Sequence, residues 1–166
     1  ALAYPYNGLP LLNPVSMIVC IADLLSADEV AHIKDGLTQA KFVPGETTAG
    51  WHAKLVKQNE QAAKQEAVEP LKALVRQAIA RNALFQAVAC PRIVHSLLFS
   101  RYGAGMSYGR HTDNALMGGA NFYRSDVSFT VFLSEPEAYE GGELVIEGAD
   151  SERPYKLAAG SAIVYP

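Results

Sequence analysis

From residue 92 to residue 166 the chain breaks into short apolar runs divided by turn formers, and this punctuation limits the fold more than any other feature. Ile93-Val94-His95-Ser96-Leu97-Leu98-Phe99, Val127-Ser128-Phe129-Thr130-Val131-Phe132-Leu133 and Ala162-Ile163-Val164-Tyr165 are short, and glycine or proline lies close to each. Runs of this length at this spacing predict the strands of a sandwich or barrel. Their alternation is imperfect, as expected where both faces of a sheet are covered. One strand is predicted over residues 92–102 and another over 127–133. Gly141-Gly142 predicts a tight turn, because glycine tolerates positive φ.

His111-Thr112-Asp113 lies inside this strand-rich half. On an extended backbone, residues i and i+2 project from the same face, so the imidazole and the carboxylate converge on one point. That pair is two-thirds of a facial triad, which holds ferrous iron and leaves coordination positions open. A His-x-Asp also arises readily by chance, and an exposed polar turn before a strand is the plainer reading. The setting separates the two. Arg101-Tyr102-Gly103-Ala104-Gly105 and Tyr108 precede the pair, and the apolar strand at 127–133 follows it. Beyond come Glu140-Gly141-Gly142-Glu143-Leu144, Tyr155-Lys156-Leu157 and the final run ending at Pro166.

The first half reads differently. Residues 1–16 are rich in turn formers and lack the basic and apolar regions of a signal peptide. A strand is expected over 17–22, and Ser26-Ala27-Asp28-Glu29 supplies a capping box for a helix with Val30, Ile33, Leu37 and Ala40 on one face. Residues 42–51 form a Gly-, Pro- and Thr-rich connection carrying Trp51 and leading to His52. A second helical stretch is expected from about 61 to 82, with Pro70 kinking it or opening a new helix. Leu71, Leu74, Val75, Ala78 and Ile79 make its buried stripe. His32, His52 and His95 are read as surface or satisfied residues, and Arg124 with Asp126 as a local ion pair or solvated charges.

At 166 residues, with 49% apolar and 19% charged residues, the chain is long enough for one domain with a core. A net charge of -3 argues against nonspecific nucleic-acid binding, which needs a basic footprint. Apolar runs are too short for a membrane span. The two cysteines, Cys20 and Cys90, sit among apolar neighbours and read as buried, reduced thiols of a cytoplasmic protein. Gly103-x-Gly105 lacks the third glycine and the following helix of a phosphate loop, and no Cys-x-x-Cys or nucleophile elbow is present.

The order of these pieces resembles the Fe(II)- and 2-oxoglutarate-dependent dioxygenases. More narrowly it resembles the bacterial PKHD-type hydroxylases, relatives of the prolyl 4-hydroxylases. The likeness spans residues 17–166 and is most specific from Phe99 to Leu144; Leu24-Leu25-Ser26, Trp51 and Val56-Lys57-Gln58-Asn59 match more loosely. It implies an α+β fold with a double-stranded β-helix (jelly roll) core, N-terminal packing helices, and a C-terminally incomplete roll. Residues 17–166 would be one domain, helical over about 24–90 and jelly-roll over about 91–166, with residues 1–16 an added extension.

The resemblance also implies chemistry. His111 and Asp113 become metal ligands for Fe(II), with 2-oxoglutarate as cosubstrate and ascorbate as an auxiliary reductant. Tyr102 becomes a contact to the cosubstrate, against the alternative of a core tyrosine whose hydroxyl meets a buried partner. The family takes its third ligand from a second His and its 2-oxoglutarate salt bridge from an Arg, both past the position matching Pro166. Residues 1–166 are therefore expected to be an inactive fragment of a hydroxylase that turns 2-oxoglutarate into succinate. The partners implied are the cosubstrate and oxygen, with a peptidyl residue or small molecule as primary substrate, and neither nucleic acid nor membrane. A non-enzymatic jelly-roll binding module with a vestigial His-x-Asp is the alternative, followed by a cupin-like zinc or manganese enzyme.

Overall fold

The computed structural model describes residues 18–48, 53–118, 122–148 and 151–166. Its helices are α1 (Ala27–Thr38), α2 (Glu69–Arg81) and α3 (Ala83–Ala89). The strands of the first half are β1 (Val19–Ile21), β2 (Phe42–Pro44), β3 (Lys57–Gln58) and β4 (Glu60–Ala62). Those of the second are β5 (Ser100–Arg101), β6 (Ser107–Tyr108), β7 (Leu116–Met117), β8 (Tyr123–Arg124), β9 (Ser128–Val131), β10 (Leu144–Glu147), β11 (Glu152–Tyr155) and β12 (Ala162–Tyr165).

Every strand pairing among the described residues is antiparallel. One sheet runs β1-β12-β9 and another β2-β4-β5, while β3-β6, β7-β8 and β10-β11 form pairs. Strands from the first half thus complete sheets begun in the second. Val19 pairs with Val164 at one edge, Glu60 with Arg101 at another, and Lys57 with Tyr108 at a third.

The core lies where α1, α2 and α3 meet the β1-β12-β9 sheet. Ile33 and Ala78 from the helices and Ala162 and Val164 from β12 are essentially sealed from solvent. Leu37 and Leu74 pack against that cluster from its margin. Phe85 of α3 stands edge-on to Phe129 of β9, with ring centroids 5.3 Å apart.

α1 begins at the expected capping box. The Glu29 amide donates to the Ser26 hydroxyl at 3.3 Å, and the Ser26 amide donates to the Glu29 carboxylate at 2.8 Å. Arg81, at the end of α2, donates to the same carboxylate and ties the two helices together. The Arg81 guanidinium is the main reason the Glu29 carboxyl lies below its ordinary value of 4.5, with the Ser26 amide adding to it. A depressed folded-state pKa means stability that is present above the ordinary value and lost as pH falls through the folded one. Glu29→Gln keeps the capping geometry but not the charge, so it is expected to cost up to about 1 kcal/mol at neutral pH. That difference should shrink toward zero as urea midpoints are measured down through the carboxylate range.

Several expectations are corrected. Residues 61–65 are not helical: Gln61 and Ala62 belong to β4, hydrogen-bonded between β2 and β5, and α2 opens at Glu69 with Pro70 in its first turn. Sheet pairing on both sides overrides the helix-forming composition of that segment. Asn82 then ends α2 and starts α3, its side chain accepting from the Phe85 amide at 2.8 Å. The strand expected over 92–102 is reduced to Ser100–Arg101, the preceding residues forming no ladder, with Ser96 at φ 52°. Cys20 and Cys90 are exposed, not buried: Cys20 sits on edge strand β1 between half-buried Val19 and buried Ile21, and Cys90 caps α3 in a left-handed conformation.

Three further local expectations hold. β9 lies within 127–133, the Gly141-Gly142 turn takes positive φ at both residues, and Arg124 pairs with Asp126. No helix among the described residues is long and apolar enough to cross a membrane. Residues 1–16, Trp51 and His52 lie outside the described residues.

Candidate metal-binding site

His111 and Asp113 lie on the irregular segment between β6 and β7, not on a strand. Their side chains nevertheless converge, with His111 Nε2 3.4 Å from Asp113 Oδ1. Three contacts hold the imidazole. Its ring stacks on Tyr108 at 3.8 Å between centroids and 10° between planes, and its Nδ1 lies 2.9 Å from the Gly109 carbonyl oxygen. With Nδ1–H donating to that carbonyl, Nε2 is the nitrogen left facing Asp113. Tyr108 is itself fixed because β6 pairs with β3 and the Gly109 amide donates to the Val56 carbonyl at 2.8 Å.

Asp113 is fixed from the other side. The Ser128 hydroxyl, at the start of β9, donates to Asp113 Oδ2 at 2.6 Å and leaves Oδ1 turned toward His111. Tyr165 of β12 stands opposite Ser128 in register, with its hydroxyl 3.4 Å from Thr130 Oγ1. The pair therefore hangs on the edge of the central sheet through β9 and on the β3-β6 ribbon through Tyr108.

Electrostatics follow from that packing. The hydrogen bond with Asp113 raises the His111 imidazole above its ordinary value, against burial, and the Gly109 carbonyl adds to the rise. The same bond lowers the Asp113 carboxyl, with Ser128 and the positive charge of Lys57 adding to it against burial. Lys57 is only 7% exposed, and its Nζ lies over the Tyr108 ring, 5.0 Å from the centroid. Burial pulls its ammonium below its ordinary value while Asp113 pulls it back. Tyr165 and Tyr108 are both raised, chiefly by burial.

An imidazole nitrogen and a carboxylate oxygen this close, each locked by a second hydrogen bond, suit a borderline-hard divalent ion. The donor set thus fits Fe(II), although no group of three His, Cys, Asp or Glu residues able to hold a metal is found among the described residues. His32 lies on α1 and His95 precedes β5; neither joins the pair. A cleft of about 450 Å³ lined by Asp23, Lys34 and Glu135 shares no residue with this cluster.

Tyr102 joins the same neighbourhood: its ring is half exposed, while its hydroxyl end is desolvated beside Asn59 and within electrostatic reach of Tyr108 and Tyr165. Ser128, Tyr165, Lys57 and Asn59 complete the surroundings, and pattern reasoning gave them no role. Ser128 and Tyr165 read as ordinary strand residues. Lys57 and Asn59 fall in an all-polar run, Lys57 to Gln61, that reads as solvated and turns out to be partly buried.

These features bring one imidazole and one carboxylate together as a candidate metal site. Residues 97–166 match the family model described as the 2OG-Fe(II) oxygenase superfamily. A PKHD-type hydroxylase of Picosynechococcus sp. is 60% identical over 151 residues, covering 90% of this chain and 68% of the relative. PKHD-type hydroxylases of Crocosphaera subtropica and Acaryochloris marina are 56% and 58% identical with the same coverage. The chain belongs to the PKHD-type hydroxylases of the 2OG-Fe(II) oxygenase superfamily. It is therefore an oxygenase of a family that uses Fe(II) and 2-oxoglutarate.

Proposed function

We propose that His111 and Asp113 supply two of three protein ligands to Fe(II) in a hydroxylase whose primary substrate is a peptidyl residue or a small molecule. The observation that carries this reading is the 3.4 Å approach of Nε2 to Oδ1, each side chain braced by its own second partner. When bound, iron with 2-oxoglutarate and dioxygen supplies oxidative decarboxylation to succinate and carbon dioxide, one oxygen atom entering succinate and the other the substrate C–H bond. In the family, the third ligand, a histidine, and the arginine that pairs with 2-oxoglutarate follow the position matching Pro166. Residues 17–166 form one domain whose strands belong to a jelly roll, in a cytoplasmic protein.

The roles of this chain's residues follow. His111 keeps its proton on Nδ1, held by the Gly109 carbonyl, so that Nε2 offers its lone pair to metal. Ser128 holds one carboxylate oxygen of Asp113 and directs the other. Tyr108 covers one face of the imidazole and limits its rotation. Tyr102 contacts the cosubstrate in this reading, a role supported by its hydroxyl end being desolvated beside Asn59.

Ser128→Ala removes an outer-shell partner and is expected to weaken Fe(II) binding about 10-fold, read by anaerobic titration, with little change in thermal midpoint. The reading itself is tested by succinate release from 2-oxoglutarate under air with added Fe(II). Residues 1–166 joined to the family's remaining C-terminal segment should release it; residues 1–166 alone should not. Full succinate production from residues 1–166, or none from the extended chain, would contradict it.

A further inference from the structure

Lys57, Asn59 and Gln61 are 7%, 4% and 3% exposed, while Gln58 between them is exposed and Glu60 half-buried. Alternation at period two puts the three on one face of a continuous extended segment. An inward strand face is normally apolar, because a buried polar group left unpaired costs about 1–3 kcal/mol. Here the inward face is a row of polar side chains meeting polar side chains of β5 and β6. Gln61 lies opposite Ser100 in register, and its Nε2 donates to the Ser100 hydroxyl at 3.2 Å. Lys57 lies opposite Tyr108, with its ammonium over that ring and in the field of Asp113.

Asn59, between them, is different. Among the described residues, neither its Oδ1 nor its Nδ2 has a hydrogen-bond partner, although both are buried. The neighbouring Tyr102 hydroxyl feels the amide, which offsets part of the rise that burial imposes on its pKa, but no atom pair reaches hydrogen-bonding geometry. The backbone makes room for this amide: a Cβ on Gly45 would fall 1.8 Å from Asn59 Oδ1, while the Gly45 amide donates to the Asn59 carbonyl at 2.7 Å.

We propose that Asn59 and Lys57 form a carboxylate-binding subsite beside the His111–Asp113 pair, in which Asn59 Nδ2 and Lys57 Nζ donate to one ligand carboxylate. The amide supplies direction and the ammonium selects for negative charge. Tyr102, whose ring is half exposed, neighbours the amide. The carboxylate belongs to the primary substrate, because the family's arginine already pairs with 2-oxoglutarate. Only the identity of the neighbouring metal rests on the oxygenase reading; the amide, the ammonium and their burial do not.

The test is the side-chain amide signal of Asn59 in a ¹⁵N–¹H spectrum, assigned by its loss in Asn59→Ser. In metal-free protein, succinate should shift the signal saturably, and the uncharged succinamide should leave it in place. Lys57→Met should weaken succinate binding about tenfold or more, and Lys57→Arg should restore part of it. In zinc-loaded protein the two sources separate. Succinate should still shift the signal over saturating 2-oxoglutarate; a signal that 2-oxoglutarate shifts and then holds against succinate would give the subsite to the cosubstrate and overturn the proposal. An Asn59 signal indifferent to both acids, or unchanged succinate affinity in a folded Lys57→Met protein, overturns the proposal. The metal-free arm reads out without turnover, so its failure is distinct from failure of the oxygenase reading.

Discussion

Replacing His111 with alanine is expected to abolish iron binding while leaving the fold in place. The side chain touches Tyr108, Gly109 and Asp113, retains 27% exposure, and is absent from the hydrophobic core. Its loss therefore falls among surface changes worth about ±0.5 kcal/mol. Metal affinity is another matter. Loss of an outer-shell partner costs about 10–100-fold, so loss of a ligand should cost about a thousandfold or more. Asp113→Ala should do the same. Paired measurements of metal affinity and thermal midpoint separate this outcome from misfolding: the first should collapse and the second should stay. A fall in both would make His111 a structural residue.

The largest stability effect is expected from Phe85→Ala, at about 3–5 kcal/mol. Phe85 is 2% exposed and meets Phe129 at 88° between ring planes, a T-shaped contact that adds about 0.5–1.5 kcal/mol to the burial of its area. For a chain of this length that loss lowers the thermal midpoint by about 6–20 °C. Phe129 also precedes Thr130 and follows Ser128, the residue that braces Asp113. The cavity therefore lies behind the strand whose Ser128 braces Asp113. Phe85→Ala should weaken metal binding modestly as well as stability, whereas Phe85→Leu should recover much of both. A midpoint unchanged by Phe85→Ala would show that α3 does not pack against β9 as described.

Sequence reasoning reached those parts of the molecule whose cause is local. The Ser26–Glu29 capping box, the Val30 and Ile33 face, the Gly141-Gly142 turn and the Arg124–Asp126 pair are each decided by a few adjacent residues. Convergence of His111 and Asp113 was legible too, though it comes from an irregular segment braced by Tyr108 and Ser128 and not from strand pleating. What stayed hidden depends on distant partners. Gln61 enters a strand because β2 and β5 flank it, although its own neighbourhood reads as helical. Residues 92–99, apolar enough for a strand, form no ladder, while Phe99 still enters the core. Lys57 and Asn59 are polar and look solvated; only the pairing of β3 with β6 and the approach of Gly45 bury them.

Iron held between positions 111 and 113 is the point on which the functional reading turns, and an anaerobic Fe(II) titration in the presence of 2-oxoglutarate tests it most directly. In a chain carrying the remaining family segment, the wild type should develop a visible charge-transfer band that saturates with one iron per protein. His111→Ala and Asp113→Ala should develop none. A band of wild-type strength in both variants would place the metal elsewhere and contradict the reading.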